Sequence, residues 1–188
     1  MSTTRTPVFT RRRILTAGLG ALAVGAVGTR AWLVSPPAQA DPTVADALAA
    51  LDRLERAEVV RSVGTWSPYR VFNHLAQSVE LSLTGYPEHK PALFKRTVGR
   101  TAFAVFRKRG KMHHGLDEAI PGAPALDADG PLPDAIERLR RALLAFDAHR
   151  GPLAPHFAYG PLDRQQYAVA HAMHLNNHLV EIVCDPPV

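Results

Sequence analysis

From residue 43 to the C-terminus, apolar residues recur every three or four positions, the spacing that lines one face of an α-helix. Val44, Leu48, Leu51 and Leu54 mark a helix over about 43–61, with Thr43 as N-cap and Asp46 three positions on. A second spans about 67–84. Ser67 is placed to cap it, Pro68 takes the first helical position, Trp66 stands where it can staple onto Val71, and Gly85 and Pro87 end it. Leu93, Phe94, Val98, Ala102, Val105 and Phe106 give a third over about 91–109, halted at Gly110. Ile136, Leu139, Leu143 and Phe146 give a fourth over about 133–149. The fifth starts behind Asp163 and Gln166 and reads as helix to about Val183, roughly 30 Å at 1.5 Å per residue. It is apolar on nearly every side, which predicts a buried helix rather than an amphipathic one.

No run of alternating apolar and polar residues stands out as a strand. The expected fold is therefore all-α, an antiparallel four-helix bundle with one extra helix. Two loops interrupt it. Residues 150–161 read RGPLAPHFAYGP, and residues 110–132 are rich in Gly, Pro and Asp. The second loop is long for a structureless connection, so it is expected to form a lid or rim over a site.

The first forty residues have a different pattern. TRRRILT at 10–16 is followed by a small, weakly apolar stretch and by Ala38-Gln39-Ala40. A basic start, apolar middle and A-x-A end describe an export signal, and Arg11-Arg12 point to the twin-arginine route. The alternative is a retained membrane anchor over 14–34, which Arg30 and the Gly and Ala content disfavour. Residues 1–40 are thus expected to be removed, leaving 41–188 as one domain in the periplasm or outside the cell, with no stable membrane association.

This division changes the charge balance. The chain has 22 Lys+Arg against 17 Asp+Glu, but Arg5, Arg11, Arg12, Arg13 and Arg30 lie before residue 41, where there are no acids. Residues 41–188 thus carry 22 − 5 = 17 cations against 17 anions. The basicity belongs to the leader, which removes the argument for a nucleic-acid partner. The single cysteine, Cys184, has no intramolecular partner.

The chemistry concentrates in HAMHLNNHLVEIV, residues 171–183. At 100° per residue His171, His174 and His178 lie within about 60° of one another. His174 and His178, four apart, can offer two imidazoles to one metal ion, although buried histidines also hydrogen-bond to carbonyls of neighbouring helices. The protease motif H-E-x-x-H needs a glutamate where Leu175 stands, which disfavours that mechanism. A third ligand should come from a facing helix, and His74 in WSPYRVFNHLAQSVE is the candidate. His171 is a candidate general base or supporting residue, with hydrogen-bonded packing as the alternative, and His156 lies in a loop that could fold over the metal. His113 and His114, in the long loop, are expected to be solvated, and Glu80 is expected to face away from His74. Tyr159 and Asn177 are candidates for orienting a ligand.

A Trp-Ser helix start with a histidine eight residues after the tryptophan, followed by a late helix bearing His-x-x-x-His, resembles the DinB/YfiT-like superfamily. NHLAQSVELSLTGYP and PHFAYGPLDRQQYAVAHAMHLNNHL resemble a branch of it known as a domain of unknown function, over about 43–183. The resemblance implies a four-helix bundle in which His74, His174 and His178 bind a divalent metal, and relatives that are thiol-dependent transferases and isomerases. Three neutral imidazoles suit zinc, nickel or iron(II) and leave coordination positions open, as in catalytic sites. The function expected is metal-dependent transfer or hydrolysis on a small-molecule substrate. The alternatives are a non-catalytic metal-binding bundle and a partner-binding bundle, and a homodimer is possible in each.

Overall fold

The computed structural model of the chain describes residues 40–185. The export signal read at residues 1–40 falls, except for Ala40, outside the described residues. No helix among the described residues is long and apolar enough to cross a membrane.

The protein is mostly helical, with one small sheet of two strands. In chain order the elements are α1 (Val44–Glu55), β1 (Val59–Ser62), α2 (Pro68–Thr84), α3 (Ala92–Phe94), α4 (Arg100–Arg109), α5 (Leu132–Ala148), α6 (Arg164–Leu179) and β2 (Ile182–Asp185). A π-helical stretch, Lys95–Gly99, joins α3 to α4.

Side-chain caps fix three of the helix starts. Thr43 and Asp46 form a reciprocal capping box on α1, and Asp163 and Gln166 form one on α6. The Ser67 hydroxyl accepts from the Arg70 amide at 3.2 Å, and Pro68 needs no amide partner there. Gly85 (φ 109°) and Gly110 (φ 63°) close α2 and α4 in conformations that a side chain would strain.

α2 lies along α5, α1 packs on α5 and α6, and α2 also meets α6. Leu51, Phe72, Leu75, Leu139, Leu143, Phe146 and Tyr167 fill the space between them and are almost wholly buried. A second, smaller core joins Phe103 of α4 and Met112 and Tyr159 of the loops to Val169, Ala170 and Met173 of α6. α6 is thus covered on two sides, as its nearly continuous apolar surface predicts.

The strands correct the sequence expectation. The first helix ends at Glu55 rather than residue 61, and the last at Leu179 rather than Val183. Val59–Ser62 pairs antiparallel with Ile182–Asp185, Val59 opposite Asp185 and Ser62 opposite Ile182. Each strand begins with two β-branched residues, which favour extended backbone. Val60, Ile182 and Cys184 turn onto the main core.

Candidate functional site

α2 and α6 bring His74, His174 and His178 together from a hundred residues apart in sequence. One ring nitrogen from each lies within 4.8 Å of the others, and this is a group that could hold a metal ion. His74 Nε2 and His174 Nε2 are 3.3 Å apart. The ring centroids of the three pairs are 5.0–5.1 Å apart. His74 and His178 are buried, while His174 reaches a cavity.

The hydrogen-bond accounting at this point is unusual. Both ring nitrogens of His178 and Nδ1 of His74 are buried with no hydrogen-bond partner. A buried polar atom without a partner costs about 1–3 kcal/mol, so folded proteins rarely keep several side by side. Burial also holds the imidazoles neutral. It pushes His74 down to about 4, with His114 and Arg70 adding repulsion, and His178 down to about 3, with His74 and His114 adding theirs. His174 is lowered well below the usual histidine range by burial and then by His74 and His178. Neutral imidazoles with unused lone pairs are the donors that zinc, nickel or iron(II) take, so these residues fit a divalent metal.

A cavity of about 250 Å³ opens onto His74 and His174. The loop between α4 and α5 supplies one wall through Met112, His114 and Ile120, as its length suggested, and the segment after α5 supplies another through His156 and Tyr159. His171 also lines it. The Ser82 hydroxyl donates to the Val79 carbonyl at 2.6 Å, so it accepts from His171 Nε2–H at 3.2 Å. His171 Nδ1 is therefore an acceptor, and burial pushes this ring down to about 3. His156 has the opposite tautomer. Its Nδ1 accepts from the amides of Ala158 and Tyr159 at 3.1 and 3.2 Å, which leaves the proton on Nε2. Burial, then the neighbouring His171, pushes it down to about 3, and Tyr159 stacks on it at 4.3 Å.

Tyr159 is therefore in the cavity wall. Asn177 is buried with its amide nitrogen unpartnered. Glu80 faces away from His74, in an ion pair with Arg138 at 2.7 Å. His113 is exposed, as expected. His114 is not: it is half-buried, with its ring 4.9 Å from His174 and 5.5 Å from His178. The loop carries it there on a turn closed by its own Nδ1–H, which donates to the Gly115 carbonyl at 2.6 Å. No spacing rule links a loop histidine to a helix pair sixty residues later, so periodicity could not find it.

Fold and site together define a mostly helical protein with a cluster of buried histidines beside a small cavity. Residues 41–184 match the family described as "Protein of unknown function (DUF1569)", and the chain belongs to it. Neither a curated protein nor a solved structure matches the chain.

Proposed function

We propose that the protein is an exported, divalent-metal-binding helical bundle of DinB/YfiT-like type whose site performs transfer or hydrolysis on a small substrate. The observation that carries the reading is His178, whose two ring nitrogens are buried without partners beside His74 and His174. His74, His174 and His178 would hold the ion, which when bound would supply Lewis acidity to a coordinated group.

The chain's own residues do the rest. The cavity, of about 250 Å³, suits a small molecule rather than a polymer and has an apolar wall in Met112 and Ile120. His156 presents a fixed donor, Nε2–H, and His171 a fixed acceptor, Nδ1, so together they orient a polar substrate by complementary hydrogen bonds. With rings held near 3, neither is a strong base at neutral pH, and positioning is the better role for both.

Cobalt substitution tests the reading. A small thiolate or inorganic anion added to the cobalt-loaded protein should shift its visible spectrum by entering the coordination sphere. A spectrum indifferent to both would mean a closed site and favour a non-catalytic metal-binding bundle.

A further inference from the structure

We infer that His114, carried by the loop between α4 and α5, is a fourth nitrogen ligand that closes the metal site from the cavity side. The inference rests on the metal-binding reading above. It adds a donor from a different part of the chain.

Ring spacing is the first argument. A metal–nitrogen bond of about 2.0–2.1 Å puts each imidazole centroid about 3.2 Å from the ion, so tetrahedral neighbours stand about 5.2 Å apart. His74, His174 and His178 show 5.1, 5.1 and 5.0 Å. His114 stands 4.9 Å from His174 and 5.5 Å from His178, within about 0.5 Å of the spacing that the three helical rings keep among themselves. Five of the six ring pairs thus have the separation that four imidazoles around one ion require.

Tautomer is the second argument. Nδ1–H of His114 is committed to the Gly115 carbonyl at 2.6 Å, so the lone pair is on Nε2. A backbone carbonyl on the far nitrogen is the usual support of a metal-ligating histidine, fixing both ring orientation and basicity.

Position is the third. The nitrogens of the three helical histidines form a set within 4.8 Å, and His114 is outside it, on a loop rather than a helix. The helical three sit on two packed helices, and His114 fills the fourth position from the loop. Four protein nitrogens give the closed arrangement of a structural site, three the open arrangement of a catalytic one. Loop position therefore sets whether a substrate can reach the ion.

The test compares cobalt affinity, by chelator competition, in the wild type, His114→Ala, His114→Gln and His174→Ala. Both His114 variants should still bind one equivalent of cobalt, at least tenfold more weakly and with an altered visible spectrum, while His174→Ala should lose binding. Hydrogen exchange on the wild type supplies a readout that needs no variant to fold: cobalt should slow exchange of loop amides around residues 111–118. Wild-type affinity and spectrum in both His114 variants, or loop exchange indifferent to cobalt, would overturn the inference while leaving the three-histidine reading intact. A wild type that binds no cobalt would overturn both.

Discussion

His178 is the residue where stability and function pull apart. Buried with two unpartnered nitrogens, it weakens the metal-free fold, and a folded chain would not keep it there for packing alone. His178→Leu, which fills similar space without a polar atom, should therefore leave the chelator-treated protein as stable as the wild type or more so, by about 1 kcal/mol. In a domain of this size that is about 3 °C in melting temperature. The same variant should lose the stabilisation that added zinc or cobalt gives the wild type. A fall of several degrees in chelator would mean that His178 is a structural residue whose partners are well satisfied. His174 and His178 were legible in the sequence because i, i+4 spacing on an apolar helix constrains geometry without tertiary information, and His74 followed as the histidine of a facing helix. His114 was not, because a loop residue's neighbours are set by the path of the loop, and nothing local encodes that path.

Among the elements, helix starts were the most legible feature. The Thr43–Asp46 and Asp163–Gln166 boxes and the Ser67-Pro68 start depend only on residues within one turn, and all three form. Both strands escaped because each is four residues long and its partner is about 120 positions away. Their residues continue the apolar pattern of the helices beside them, so periodicity extends α1 and α6 too far. The π-helical stretch escaped for a related reason. Its last residue, Gly99, is buried under the 156–160 turn, and a Cβ there would lie 2.0 Å from the Ala158 carbonyl oxygen. Gly99→Ala should accordingly displace that turn, which holds His156 and Tyr159 in the cavity wall, and cost about 2 kcal/mol or more. Thermal melting checks the cost. An unchanged melting temperature would mean that the helix and turn can separate freely.

For the whole molecule, the buried histidines make acid the natural denaturant. His74 is held near 4, and His156, His171 and His178 near 3, each chiefly by burial, against about 6.5 in the unfolded chain. The unfolded state then binds more protons than the folded one at any pH between those values. Stability is fully present above about pH 6.5 and falls as pH drops toward the folded-state values, at about 1.4 kcal/mol per pH unit for each imidazole. Melting in chelator should show a steep loss of stability below about pH 6, and His171→Phe, which removes one of these imidazoles, should flatten it. A melting temperature unchanged between pH 7 and pH 5 would contradict the burial of these rings.

All of this meets in the proposal that His74, His174 and His178 hold an ion. The most direct measurement is the metal content of the purified protein after reconstitution with zinc or cobalt and removal of excess, beside His174→Ala treated identically. The account predicts close to one equivalent in the wild type and little in the variant. Less than about a tenth of an equivalent in the wild type, under conditions that load known zinc sites, or full occupancy in His174→Ala, would contradict it.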